Sequence, residues 1–165
     1  MTTLSSLSIT AACPADVPLI LALISELAEY EKLSHEAIAT EASLQDSLFG
    51  TKPGAEAVIA RLDGEPAGFA LFFHNFSTFL GRRGLYLEDL FVRPDFRGRA
   101  IGKSLLIYLA ALAVERGCGR FEWQVLDWNK PARDFYERLG AKANPGWINY
   151  RLTGEALLKL AALRL

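Results

Sequence analysis

The chain has 165 residues, 51% hydrophobic and 22% charged, with a net charge of −1. That is enough for one well-filled core and too little for two, so a single domain over residues 1–165 is expected. The charge balance excludes the basic excess of a nucleic-acid surface, and no apolar run approaches the ~20 residues of a membrane span, so the expected partner is a small molecule.

The opening MTTLSSLSIT lacks the basic start and long apolar segment of a secretion signal, which points to the cytoplasm. Cys13 and Cys118 would stay reduced there; they are too few for a disulfide framework and lack metal-ligand spacing, so no metal is expected. Leu7 to Ala12 alternates weakly as a first strand. A helix opens near Pro14 or Asp16 and runs to about Glu31 on the stripe Leu19, Ile20, Leu23, Ile24, Leu27. A short helix follows from Thr40, an N-cap residue, to Phe49. Ala55–Leu62 and Pro66–Asn75 are antiparallel strands joined at Asp63-Gly64, a dipeptide suited to a turn with both residues at positive φ. Asn75–Gly84 is polar and expected as a loop.

Leu85–Val92 is rich in apolar and aromatic residues and stops at Arg93-Pro94, so it is a buried strand. From Ile101 apolar residues recur at helical spacing for about four turns. After Gly117–Gly119 come a strand over Phe121–Leu126, a helix capped by Asn129 with Pro131 in its first turn and ended at Leu139-Gly140, a strand over Trp147–Leu152, and a terminal helix over Glu155–Leu163. This order predicts an α/β mixed sheet with helices on both faces. The strands ending at Val92 and starting at Phe121 should be parallel neighbours, with a ligand outside their carboxyl ends.

Between the Leu85–Val92 strand and the helix at Ile101 lies RGRAIG, residues 97–102. A glycine-containing loop that opens a helix presents unpaired amides and the positive end of the helix dipole, which suits phosphate. Gly98 and Gly102 lack a Cβ, and Arg97, Arg99 and Lys103 add positive charge suited to a pyrophosphate. Neither GxxxxGK[ST] nor GxGxxG is present. Two adjacent carboxylates, Glu88 and Asp89, sit inside the apolar strand; one must be desolvated unless a bulge turns both toward a wet cleft. They suit a cationic amine, or else are structural acids bridging to Arg82, Arg83 or Arg93.

Arg97–Gly102 resembles R/Q-x-x-G-x-G/A, the signature of the GNAT superfamily of acyl-CoA-dependent N-acyltransferases, with Ala100 at the usual middle glycine; a positive φ there would be resisted. Asn129–Gly140, NKPARDFYERLG, resembles the same family's N-x-x-A-x-x-F-Y-x-x-x-G. The diamine acetyltransferase branch, acting on spermidine/spermine or thialysine, is similar over nearly the whole chain, through LISELAEYEKL, GLYLEDLFVRPDFRG, VLDWNKPARDFYERLGA and Gly146-Trp147. Phe76–Arg83 matches only loosely.

The resemblance implies a mostly antiparallel sheet with a splayed pair of parallel central strands, acetyl-CoA as co-substrate, a homodimer, and direct acetyl transfer in a ternary complex. Leu90, Phe91 and Val92, then Arg97, Gly98, Arg99, Ala100, Ile101, Gly102 and Lys103, then Asn129, Lys130, Pro131 and Ala132 would hold the cofactor. Tyr30, Glu31, Glu88, Asp89, Glu122, Trp123 and Gln124 would face the amine, with Glu88 taking its proton and Tyr136 protonating the thiolate; otherwise Tyr136 is a core aromatic beside Phe135. The alternatives are acetylation of a protein N-terminus or lysine, and a non-catalytic acetyl-CoA-binding module.

Overall fold

A computed structural model describes residues 6–163 and divides the chain into two compact units at Gln124/Val125. The first unit carries a five-stranded sheet in the order β1-β2-β3-β4-β5: β1 Leu7–Ala11, β2 Glu56–Leu62, β3 Glu65–Ser77, β4 Arg82–Val92 and β5 Phe121–Trp123. Neighbours are antiparallel except β4 and β5, which are parallel. The β2–β3 turn is the expected one, with Asp63 at φ 53° and Gly64 at φ 86°.

Helices α1 (Val17–Tyr30) and α2 (Glu41–Phe49) cover one face of the sheet, where Ile20, Leu23 and Leu27 with Leu44 and Leu48 pack on Ala57, Ile59, Phe69 and Phe91. The Thr40 side chain accepts from the Ser43 amide at 3.1 Å and opens α2 as its sequence predicts. Helix α3 (Ile101–Glu115) covers the other face with Ile101, Leu105 and Leu109 fully buried; each is a contribution of about 1.5–3 kcal/mol. Arg93 fastens α1 to the end of β4: its guanidinium reaches Glu26 at 2.7 and 3.0 Å and the Pro66 carbonyl at 3.1 Å.

The second unit holds α4 (Lys130–Arg138) and α5 (Gly154–Ala161). No helix among the described residues is long and apolar enough to cross a membrane.

Three expectations change. Asn75–Gly84 is mostly ladder rather than loop, because Asn75↔Gly84, Phe76↔Arg83 and Ser77↔Arg82 continue the β3–β4 pairing; strand pairing uses backbone groups and tolerates polar side chains. The buried Ser77 hydroxyl then accepts the Leu80 amide at 3.2 Å to close the turn. The strand at Phe121 ends at Trp123 instead of Leu126, since its pairing with β4 stops at Leu87. Trp147–Leu152 has β-favouring residues but no ladder among the described residues, and Trp147, Ile148 and Tyr150 are exposed; composition supplies no hydrogen-bond partner.

Candidate active site

The acids come first, because the register of β4 decides where they point. Phe73 pairs with Tyr86 and Phe72 with Leu87, but Leu71 pairs with Asp89, so Glu88 is an extra residue in a bulge. Alternation puts Tyr86 and Glu88 on the α1 face, and the slip puts Asp89 there too. The two carboxylates therefore share one face, the arrangement that lets both reach water. Among the described residues neither has a hydrogen-bond or ion-pair partner, and Arg93, one of the cations that could have neutralised them, belongs to Glu26.

Electrostatics confirms the grouping. Burial, then the charges of Glu88 and Glu31, push the half-buried Asp89 carboxyl up to about 6. Burial alone raises Glu31, which follows the last residue of α1. The Tyr86 phenol is raised by burial and by the charges of Glu88 and Glu122. Three carboxylates thus crowd one region, and the charges acting on Asp89 are those of Glu88 and Glu31, a region of negative charge that favours a cationic ligand.

The same bulge opens an edge. Pairing with β5 ends at Leu87, leaving residues 88–92 of β4 without a strand partner on that side among the described residues. The Arg93 amide donates to the Ala67 carbonyl, so ladder alternation turns Phe91 toward β3 and turns the amides of Leu90 and Val92 to the open edge. The Val92 carbonyl on that edge accepts from Arg97 Nε at 3.0 Å. Leu90, Phe91 and Val92 thus combine an open backbone edge with a core anchor, the buried Phe91.

Beyond β4 the chain makes a 3₁₀ turn at Pro94–Phe96 and enters the loop. Gly98 adopts φ 75° and Ala100 φ 59°, ψ 13°, the left-handed region, at the N-cap of α3. No side chain caps that helix; the first of its amides with a partner is Ser104, on the Ala100 carbonyl at 2.9 Å. The amides of Ile101, Gly102 and Lys103 are available to an anion, and a Cβ at Gly98 would meet nothing within 4 Å. The residues present fit a diphosphate. Arg97 departs from the expected arrangement: its guanidinium lies 4.7 Å from the Tyr30 ring centre and 5.8 Å from that of Phe91, and so ties the loop to the end of α1. Arg99 lies over Phe96 at 6.0 Å, and Lys103 is exposed.

On β5, Glu122 pairs with Tyr86 and shares the acid face, whereas Trp123 pairs with Leu87 on the α3 face and meets the Phe121 ring at a tilt, centres 5.0 Å apart; Gln124 is exposed just beyond the strand. Glu122 is held by Arg120 at 2.7 Å and by Asn75 at 3.1 Å. Arg120 and Asn75 were not anticipated; an arginine two positions before a strand acid, on the same face, was the available signal.

In the second unit, Asn129 is buried and its side chain accepts from the Ala132 amide at 3.3 Å, the expected cap, with Pro131 in the first turn. Lys130 bonds Asp134 at 2.6 Å. Tyr136 is half-buried one residue after Phe135, ring centres 5.4 Å apart.

The family model of the acetyltransferase (GNAT) family matches residues 21–141. The chain is 39% identical to thialysine N-epsilon-acetyltransferase of Sus scrofa, covering 96% of this chain and 99% of that one. It is 34% identical to L-ornithine N5-acetyltransferase of Arabidopsis thaliana over 93% and 87% of the two chains. Among solved structures, an integron cassette protein from the mobile metagenome of V. cholerae superposes with a TM-score of 0.80 at 29% identity, covering 94% of this chain and 98% of that one. A mixed sheet that splays at a bulge, an uncapped helix behind a glycine loop, and relatives this similar over nearly their full length lead to one conclusion: the chain belongs to the GNAT family of acetyltransferases, on the diamine acetyltransferase branch, and is an N-acetyltransferase.

Proposed function

We propose that the protein transfers an acetyl group from acetyl-CoA to a primary amine of a small polycationic substrate, a polyamine, a diamine or a thialysine-like amino acid, by direct attack in a ternary complex. The observation that carries this is the bulge at Glu88, which leaves two unpaired carboxylates on one face where β4 parts from β5. Support also comes from relatives named for acetylating thialysine at Nε and L-ornithine at N5. The whole chain acts as one acetyltransferase domain, as the family match across both units supports. It works in the cytoplasm as a homodimer.

Acetyl-CoA supplies an acetyl thioester when bound. The amides of Ile101, Gly102 and Lys103 hold the diphosphate, with Gly98, Arg99 and Ala100 shaping the loop, Arg97 fixing it to β4, and Asn129–Ala132 contributing a second helix start. Leu90 and Val92 present amides to the developing oxyanion.

The amine faces Tyr30, Glu31, Glu88, Asp89 and Glu122, with Gln124 just beyond β5, while Trp123, on the α3 face, backs the strand rather than meeting the amine. An alkyl ammonium of pKa near 10.4 is neutral in only about one molecule in 10³ at pH 7, so it must lose a proton before attack. Glu88 accepts that proton, directly or through water, while Asp89 and Glu31 hold the cation. As the new C–N bond forms and the C–S bond breaks, Tyr136 donates its phenolic proton to the departing thiolate, and the second proton shed by the nitrogen as it becomes an amide passes through water to restore the phenol.

An amine panel with acetyl-CoA and free-thiol detection tests the proposal. Thiol release with small polycationic amines is expected, and release only with peptides would sink the small-molecule reading. Tyr136→Phe should lower kcat by roughly 10²-fold with acetyl-CoA affinity nearly intact. Glu88→Gln should lose most near pH 7 and least as pH nears the amine pKa. An equal loss at every pH would instead assign Glu88 to binding.

A further inference from the structure

On the face shared by Glu88 and Asp89 lies a second charged group of a different kind. Glu122 pairs with Tyr86, and Asn75 with Gly84, so both alternate onto that face. Arg120 Nε and Asn75 Nδ2 both donate to the same oxygen of Glu122, Oε2, at 2.7 and 3.1 Å. Glu122 Oε1 and the two terminal guanidinium nitrogens of Arg120 have no protein partner among the described residues, and the two side chains are 39% and 37% exposed.

Asn75 is held in place for this. A Cβ at Gly84 would collide with Asn75 Oδ1, so the glycine lets the amide lie across β4. That Oδ1 is buried and unbonded, a cost accepted while the amide nitrogen orients Glu122. The pair is close enough to the acids for one ligand to span both, because Glu122 sits opposite Tyr86 and Glu88 lies two residues further along the same strand, and the charges of both act on the Tyr86 phenol.

Glu88 lies two residues along the strand from Tyr86, about 6–7 Å. A side chain of three or four methylenes spans about 5–6 Å between its terminal nitrogen and the α-carbon.

We infer that Arg120, Glu122 and Asn75 form a head-group subsite that reads the α-carboxylate and α-ammonium of a basic amino acid, making a diamino acid a better substrate than the matching diamine. This rests on the function proposed above and adds its specificity. The two free guanidinium nitrogens offer a fork to a carboxylate, and Glu122 Oε1 accepts from the α-ammonium, while the side-chain amine reaches Glu88 and Asp89. A diamine would bring a second cation against Arg120, and Glu122, already neutralised, attracts it weakly.

The test compares kcat/KM of the full chain, at saturating acetyl-CoA, for L-lysine against cadaverine and L-ornithine against putrescine, pairs that differ only in the carboxylate. The wild type should prefer the acid of each pair by about tenfold or more. Arg120→Gln should lower the acid about tenfold and raise the diamine, since Glu122 is left unpaired, and Arg120→Lys should restore part of the preference. A folding defect cannot raise the diamine rate. A wild type that uses the diamine as well as the acid, or an Arg120→Gln variant that loses both equally, overturns the subsite while leaving an amine acetyltransferase intact. No turnover with either member would overturn the amine reading itself and this inference with it.

Discussion

Ala100 holds a left-handed conformation, φ 59°, at the turn from the cofactor loop into α3, where its Cβ is a liability of about 1–2 kcal/mol. Ala100→Gly removes that strain, offset in part by the greater freedom of glycine in the unfolded chain, so the variant should be about 1 kcal/mol more stable and melt a few degrees higher. An unchanged or lower melting temperature would mean that the surrounding loop has adapted to the alanine. Asp89 carries its strain as charge. Its folded-state value of about 6 lies above the ordinary 3.8, so ionising it opposes folding: the penalty is absent below about pH 4, grows through pH 4–6 and is complete above. Asp89→Asn should therefore stabilise the protein by about 2–3 kcal/mol at pH 8 and by almost nothing at pH 4, read from thermal melts at the two pH values. A gain that did not depend on pH would show that the carboxylate is not the source.

At the scale of elements, the β3–β4 pair is the frame of the site, and its close approach depends on one small residue. A Cβ at Gly68 would run into the Phe91 carbonyl oxygen and press on Val92, beside the open edge of β4. Gly68→Ala should cost roughly 2–3 kcal/mol, as overpacking of a tight contact does, and should weaken acetyl-CoA binding with it. Wild-type stability measured by denaturant titration would contradict the close approach. Most elements were legible in sequence because each has a local signal: Thr40 and Asn129 as caps, Asp63-Gly64 as the turn, and the apolar stripe from Ile101. The Trp147–Leu152 segment reads as a strand on the same grounds and is not one among the described residues, since side-chain preference cannot provide a neighbour.

For the whole molecule, the proposed homodimer is tested by sedimentation, which should give twice the chain mass at micromolar concentration; a single species at the chain mass would remove it. The residues with exposed apolar side chains in the second unit, among them Trp147, Tyr150 and Leu158, are the place to look for protection in hydrogen exchange on association.

The elements from β1 through α4, the phosphate-suited loop and the oddity of Glu88-Asp89 were legible in sequence, apart from the Asn75–Gly84 ladder and the end of β5, because each is a matter of neighbouring residues: spacing, capping, or a charge set in an apolar run. Whether those two acids face together, which amides of β4 stand free, and that Arg97 turns onto Tyr30 were decided only by tertiary structure. A one-residue slip against β3 flips every later side chain to the other face, and that slip is set by pairing partners far away in the chain, which no local pattern records.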